Sequence, residues 1–208
     1  MASLGESRKI ALFGGSFDPV HLGHLAVLHN VLERSDYSLF LIVPAKLSNF
    51  KQSNKPKASS EDRLKMLKLA LEDYKELYPE DKVSELVIST IELDRGGVSY
   101  TYDTVMEIKK LYGITGRLGL VIGDDQIPTL TNWYRYEDLK KEVEFIICRR
   151  NPDGALWSLL PQDICYTKIE PEELAPQSSS EFRANLESRE DYLSKRVRQY
   201  VKAKDLYR

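Results

Sequence analysis

Two glycines and two histidines near the start of the chain have the types and the spacing to bind phosphate. Gly14 and Gly15 follow a short apolar segment, and without side chains they allow a tight turn and a close approach of phosphate to the backbone. His21 and His24 are three residues apart, so in the first turn of a helix their rings would reach the same anion. The free N–H groups of that helix would add to the attraction. The stretch predicts a phosphate-binding turn between a strand and a helix.

Two other interpretations of this stretch have less support. The dinucleotide-binding pattern of hydride-transfer enzymes needs a third glycine at a set spacing, and the stretch lacks it. A catalytic metal site needs about three protein ligands, and no third ligand stands near His21 and His24 in the sequence. His29 stands apart from the pair and is expected to be structural. We therefore predict that the protein itself holds no metal ion.

Three later segments also suit a nucleotide. Asp125 follows Gly123 after an apolar segment, where a carboxylate can accept hydrogen bonds from two ribose hydroxyls; a metal-binding pair and a plain loop are the alternatives. Ser178-x-x-Glu181 is a capping box that starts a helix, which is either a plain helix start or, with a nearby arginine, an anion site. Trp133 offers a ring for stacking on a base or pyridine, although the core is an equally good place for it.

The apolar pattern places these residues at the ends of strands. Short, nearly continuous apolar segments are typical of parallel strands covered on both faces, and helical patterns lie between them. Strands are expected at 10–13, 39–43, 86–88, 118–122, 145–148 and 164–169, and helices at 21–33, 60–78, 101–112 and near 193–201. The sequence thus predicts an α/β fold, a Rossmann-like open parallel sheet with helices on both faces.

Length and charge limit the domains and the partners. The 208 residues, 42% of them hydrophobic, suffice for a single domain, which we expect over residues 10–208, with a flexible end at 1–9 and a helical portion from about 178. The formal charge is 30 − 32 = −2, so nothing indicates binding to nucleic acid or to an anionic membrane. No apolar segment approaches the roughly 20 residues that span a bilayer. We expect a cytoplasmic protein, and a homo-oligomer is compatible with the sequence.

The order of the motifs resembles that of one enzyme family. The run G-G-S-F-D-P-V-H-L-G-H at 14–24 resembles the signature of the HxGH nucleotidyltransferases. Later segments resemble, in the same order, those of the bacterial nicotinate-nucleotide adenylyltransferases: R-L-K-M-L at 63–67, E-L-D-R at 92–95, G-V-S-Y-T-Y-D-T at 97–104, G-D-D at 123–125, tryptophan at 133 and S-S-S-E-F-R at 178–183. The resemblance runs from residue 10 to residue 183 and implies a nucleotidyltransferase type of Rossmann-like fold.

This resemblance implies a reaction and a role for each matching residue. The family transfers the adenylyl group of ATP, whose phosphates carry Mg²⁺, to nicotinate mononucleotide, and releases pyrophosphate in a step of NAD biosynthesis. The implied catalytic residues are His21, His24 and Arg183. The implied ATP-binding residues are Gly14, Gly15, Ser16, Phe17, Gly123, Asp125, Ser179 and Ser180. The implied nicotinate-nucleotide-binding residues are Asp18, Lys51, Thr101, Tyr102, Trp133 and Tyr134. Thr101 is also expected to cap a helix whose amides hold the nicotinate carboxylate.

The sequence departs from the family at one loop and leaves other acceptors open. Ser48, Asn49 and Phe50 precede Lys51 where the family has Pro-Pro-His. Nicotinamide mononucleotide and phosphopantetheine are the alternative acceptors for the same chemistry. A nucleotide sensor without catalysis is a further alternative, although it would have no need for residues that contact only a transition state.

Overall fold

A computed structural model of the protein describes residues 9–47, 56–81, 85–152, 154–171, 177–185 and 188–208. The predictions for the flexible end at 1–8 fall outside these residues. The same holds for Lys51 and for the three residues before it. Among the described residues, no helix is long and apolar enough to cross a membrane.

In the described part of the chain, six parallel strands form one sheet at the positions that the apolar segments predict. They are β1 (Ile10–Gly15), β2 (Leu39–Pro44), β3 (Leu86–Ile88), β4 (Leu118–Gly123), β5 (Val143–Cys148) and β6 (Tyr166–Ile169). The strand order is β3-β2-β1-β4-β5-β6. The chain therefore reverses its direction of travel across the sheet between β1 and β4. Open α/β sheets bind ligands in the crevice that such a reversal leaves at the carboxyl ends of the strands.

The strands are apolar because both faces of the sheet are covered. Ala11 and Phe40 pack into the core on one face, whereas Leu12 and Leu41 pack into the core on the other face. Burying one such side chain contributes about 1.5–3 kcal/mol, so neither face tolerates a polar residue without a partner. This two-sided burial confirms the predicted fold class and holds the strand ends in a fixed register.

Seven α-helices accompany the strands in the described residues. They are α1 (Leu22–Glu33), α2 (Ser60–Leu77), α3 (Ile91–Arg95), α4 (Thr101–Tyr112), α5 (Tyr136–Glu142), α6 (Ser179–Ala184) and α7 (Lys195–Ala203). The predicted starts and ends of α1, α2 and α4 agree with the structure to within one residue. The sequence did not predict α3 and α5, because helices of five and seven residues depend on tertiary packing more than on an apolar period.

Two helices that are distant in sequence are joined by an ion pair between a partly exposed arginine and a buried aspartate. The Arg196 guanidinium of α7 lies 2.6 Å from Asp73 of α2, and the Arg196 backbone N–H donates to the same carboxylate over 2.8 Å. One arginine of α7 thus ties this helix to α2. This attachment determines where the residues after α7 lie.

Candidate active site

The turn after β1 is compact and brings the backbone to the edge of the sheet. Phe17 is buried and adopts a positive φ of 46°, which reverses the chain after Gly15. A Cβ added to Gly15 would lie 3.0 Å from the Phe17 ring, so the glycine lets the ring fold back onto the strand. A Cβ added to Gly14 would meet nothing within 4 Å, which leaves its backbone open to a ligand.

His21 and His24 lie at the start of α1 with their rings together. His21 is the N-cap residue, and its N–H donates to Nδ1 of His24 over 3.2 Å. The ring centroids are 3.7 Å apart. Because Nδ1 of His24 accepts this bond, the proton of the neutral ring lies on Nε2, which is therefore a donor. Gly23 leaves room for the pair, since a Cβ there would lie 3.0 Å from Nδ1 of His21.

His21 is neutral at physiological pH. Only 4% of the residue is exposed, and burial is the larger cause that lowers the pKa of its ring. Together with the positive charge of Arg150, burial brings this pKa to about 3. At pH 7 this histidine can therefore serve an anion through a hydrogen bond but carries no positive charge.

A cavity of about 440 Å³ opens at the carboxyl ends of β1 and β4 and joins most of the predicted site residues. A volume of this size suits a small-molecule ligand. The predicted residues that line the cavity are Gly14, Gly15, Ser16, Phe17, His21, His24, Thr101, Gly123, Asp125, Trp133, Ser179 and Ser180. Segments from four separate parts of the chain thus meet at the predicted place.

Four other predicted residues do not line this cavity, although the structure describes them. Tyr102 lies under the Arg135 guanidinium, whose Cζ is 4.2 Å from its ring centroid. Tyr134 is about half exposed and packs against Tyr100, with 4.5 Å between the ring centroids. Asp18 and Arg183 lie just behind the phosphate-binding turn. For all four residues, direct contact with a substrate stays a prediction.

Asp18 has partners within the protein that fill its carboxylate. The residue is 3% exposed. Its Oδ2 accepts from the Lys57 N–H over 2.8 Å, and its Oδ1 accepts from the Ala58 N–H over 3.0 Å and from the Tyr207 hydroxyl over 2.9 Å. The carboxylate thus joins the phosphate-binding turn to the segment before α2. This arrangement gives Asp18 a positioning role in the structure.

Two adjacent carboxylates at the end of β4 lie in different environments. Asp124 is fully buried and accepts hydrogen bonds from the backbone N–H groups of Arg150 and Asn151, over 3.0 and 3.2 Å. Asp125 is about half exposed, and its Oδ1 lies 3.4 Å from the Arg150 guanidinium. Because Asp124 is occupied by amides, the metal-binding pair loses support. Asp125 remains available to a ligand in the cavity.

Arg150 is a cavity residue that the sequence analysis did not select. Its Nη2 donates to the Gln177 carbonyl over 2.7 Å, and its other guanidinium nitrogen faces Asp125. It follows β5 by two residues and therefore lies at the same sheet edge as Gly123. The signal in the sequence was a pair of arginines directly after an apolar segment, because the carboxyl end of a parallel strand is a common ligand site.

Glu92 is a second cavity residue that was missed, although it belongs to a motif that carries the resemblance. It is buried, and its Oε1 accepts from the Thr104 hydroxyl over 2.6 Å. Arg95 in turn donates to the Thr104 hydroxyl over 2.8 Å. These bonds hold α3 against the first turn of α4. Both helices contribute a residue to the cavity lining, Glu92 from α3 and Thr101 from α4.

Replacing Arg150 with glutamine is expected to raise the pKa of His21. The cation beside the ring is lost, but burial, the larger cause, remains, so the new pKa lies above about 3 and still below the ordinary 6.5. An NMR titration of the imidazole measures it directly. Arg149→Gln is the matched control, because that neighbouring guanidinium pairs with Glu170 instead. Equal His21 pKa values in the two variants would show that the charge of Arg150 does not lower the pKa of His21.

The part of the cavity that is predicted to bind the acceptor includes Thr101 of α4 and Trp133. Helix α4 begins at Thr101 with Tyr100 as its N-cap residue, so the prediction that Thr101 caps the helix was wrong by one position. The Tyr100 side chain forms no capping hydrogen bond, and the first-turn amides are therefore not used by it. Trp133 is 9% exposed, packs in a core and also lines the cavity. The structure thus places Trp133 in a core, and stacking of its ring on a ligand stays a prediction.

The described residues offer no protein-held metal site. No group of three or more His, Cys, Asp or Glu side chains in this part of the chain could hold a metal ion.

Comparisons with known proteins agree with this geometry. The profile of the Cytidylyltransferase-like family matches residues 12–199. A probable nicotinate-nucleotide adenylyltransferase of Treponema pallidum (strain Nichols) is 34% identical over 214 residues, covering 96% of this chain and 99% of the relative. A protein of the same description from Hydrogenobaculum sp. is 42% identical over 144 residues, covering 69% of each chain.

Solved structures share the fold. The nicotinic acid mononucleotide adenylyltransferase of Plasmodium falciparum, complexed with APC, aligns with a TM-score of 0.77 at 21% identity, over 96% of this chain and 97% of that one. Its complex with NaAD aligns with a TM-score of 0.76 at 22% identity, over the same shares. At these identities the likeness shows a shared fold.

Proposed function

Because the chain belongs to the nicotinate-nucleotide adenylyltransferases of the Cytidylyltransferase-like family, we propose that it transfers the adenylyl group of ATP to nicotinate mononucleotide. The products are nicotinate adenine dinucleotide and pyrophosphate, a step of NAD biosynthesis. The observation that carries the proposal is one cavity that is lined by the histidine pair, the glycine turn, Asp125 and Trp133. Such a cavity suits two nucleotides that meet at their phosphates.

The transfer needs alignment more than proton transfer. The acceptor phosphate is already an anion, so no general base has to deprotonate it. The protein has to place that phosphate in line with the ATP α-phosphorus and stabilise the charge that develops on pyrophosphate. The Gly14–Gly15 backbone and the His24 Nε2–H would supply donors for this charge. ATP would enter with Mg²⁺ on its phosphates.

The lining residues suggest a place in the cavity for each nucleotide. Asp125, at the end of β4, would accept hydrogen bonds from the ribose of ATP, with Ser179 and Ser180 near the phosphates. Trp133 would stack on the pyridine ring of the acceptor, and the first-turn amides of α4 would donate to its carboxylate.

Several expectations from the sequence stay predictions. For the site, they are the roles of Tyr102 and Tyr134 and a contact from Lys51. For the whole protein, they are a single domain over 10–208, a cytoplasmic location and a homo-oligomeric state.

A single assay tests the reaction. Purified protein is mixed with ATP and Mg²⁺ and, separately, with nicotinate mononucleotide, nicotinamide mononucleotide or phosphopantetheine, and pyrophosphate release is measured. We expect the fastest release with nicotinate mononucleotide. Release only with phosphopantetheine would replace the proposed acceptor, and no release with any acceptor would favour a nucleotide sensor.

Removing the Asp125 carboxylate is expected to act mainly on ATP binding. Ribose contacts persist in the ground state and the transition state alike, so Asp125→Ala raises KM for ATP by about tenfold and changes kcat much less. Steady-state rates at varied ATP check this. Asp36→Ala is the control, because Asp36 is an exposed carboxylate that pairs with Lys9 away from the cavity. An unchanged KM for ATP together with lost Mg²⁺ dependence would make Asp125 a metal ligand instead.

A further inference from the structure

The segment after α7 returns to the rear of the phosphate-binding turn. Tyr207 donates its hydroxyl to Oδ1 of Asp18 over 2.9 Å. Its ring contacts Phe182 of α6 edge-on, with 5.9 Å between the centroids. Burial raises the pKa of the Tyr207 hydroxyl above its usual range, and the Asp18 charge raises it further, so the hydroxyl remains a donor at every physiological pH. One side chain thus contacts two elements of the candidate active site.

Arg183 lies beside the same carboxylate without a close ion pair. Its Nη1 is 3.7 Å from Oδ2 of Asp18 and donates instead to the Asp18 backbone carbonyl. Its Nη2 lies 3.3 Å from the Ser180 hydroxyl, and Ser180 lines the cavity. The guanidinium therefore stands between a buried carboxylate behind the site and the phosphates expected in front of it.

The neutral donors on Asp18 reduce the need of this carboxylate for a close ion pair. A carboxylate has about four acceptor positions. The Tyr207 hydroxyl and the Ala58 N–H occupy two of them on Oδ1, and the Lys57 N–H occupies one on Oδ2, the oxygen that faces Arg183. A buried carboxylate that loses one of these donors needs a replacement, because an unmet buried acceptor is costly. The nearest charged donor is the Arg183 guanidinium, and a charge-assisted hydrogen bond is stronger than a neutral one.

We propose that Tyr207 is a positioning residue that keeps Arg183 available to the substrate phosphates by occupying the Asp18 carboxylate with a neutral donor. The inference rests on the proposed catalytic role of Arg183 in adenylyl transfer. Without the tyrosine hydroxyl, Arg183 moves into a close pair with Asp18, and the phosphates have to compete with that carboxylate for the cation. The loss falls on kcat, because the charge on the leaving pyrophosphate is largest in the transition state.

The test compares two tyrosines that make the same kind of bond. Tyr207→Phe removes only the hydroxyl and is expected to lower kcat about tenfold, with KM for the acceptor unchanged within about twofold, an effect within the range for residues in one hydrogen-bond network. Tyr200→Phe is the matched control. The Tyr200 hydroxyl donates to Oδ1 of Asp62 over 2.8 Å, and neither residue lines the cavity. The kcat of the Tyr200→Phe variant is expected to stay within about twofold of the wild type.

A double-mutant cycle separates positioning from a merely structural role. In an Arg183→Ala background, Tyr207→Phe is expected to cause no further loss of kcat, because the cation through which it acts is gone. Circular dichroism and thermal unfolding define a temperature at which every variant is folded, and all rates are taken there. The proposal is overturned if Tyr207→Phe behaves like Tyr200→Phe, or if its tenfold loss persists without Arg183. A wild-type protein that makes no product from nicotinate mononucleotide would instead overturn the proposed function.

Discussion

His24→Ala is expected to lower kcat by about 100-fold or more, which is the loss typical of removing one preorganised donor to developing charge. The His24 ring lines the cavity beside His21, and its Nδ1 already accepts a backbone hydrogen bond, so Nε2–H is the group offered to a substrate. The same substitution removes the acceptor of the His21 N–H at the start of α1. A stability loss of about 1 kcal/mol is therefore expected as well, and rates are measured per folded protein.

The control for this variant is a histidine on the same helix. His29 also belongs to α1, but its ring stacks on Tyr78, and its Nδ1 lies 2.9 Å from an Asp81 oxygen, away from the cavity lining. His29→Ala is expected to lower the unfolding temperature and to leave kcat within about twofold of the wild type. A His24→Ala variant that is folded and turns over at the wild-type rate would contradict the catalytic role of His24.

The second large effect concerns the choice of acceptor. Nicotinate mononucleotide is expected to exceed nicotinamide mononucleotide in kcat/KM by at least about 100-fold. A carboxylate only accepts hydrogen bonds, whereas an amide both donates and accepts. The first turn of α4 offers N–H donors that the Tyr100 side chain does not cap, and the positive end of the helix dipole favours an anion there. An amide would place its NH₂ group against these donors.

Steady-state rates with both acceptors at equal ATP and Mg²⁺ measure this ratio. The same ratio is measured for Trp133→Phe, because this substitution reduces the area of the stacking ring and keeps the α4 backbone in place. We expect it to weaken both acceptors together and to leave their ratio unchanged. Equal efficiencies in the wild type would indicate a dual-specificity enzyme, and a reversed ratio would show that the acceptor wall binds the amide.

The amino-acid sequence by itself determined the fold class and most of the cavity. Short, nearly continuous apolar segments with helical patterns between them are typical of parallel strands, so β1, β2 and β4 could be placed from the sequence. Residues that follow such strands lie at one edge of the sheet. Gly14, Gly123 and the histidine pair could therefore be assigned to one site before any contact was known.

The sequence determined the short helices and the helix caps less well than the strands. Helices α3 and α5 have too few residues for a helical period to appear, and their stability comes from packing against the sheet. The N-cap residue of α4 was misplaced by one position. Thr101 and Tyr100 differ in capping tendency, but the backbone around them decides which residue leaves the helix.

Only the tertiary structure decided which residues share the site from distant parts of the chain. Arg150 reaches Asp125 because β5 pairs with β4, and strand order is a property of the whole sheet. Tyr207 reaches Asp18, 189 positions earlier, because packing of α7 on α2 brings the residues after α7 to the turn. No local pattern encodes such pairs, since their free energy arises from burial and hydrogen bonds that exist only after the elements have assembled.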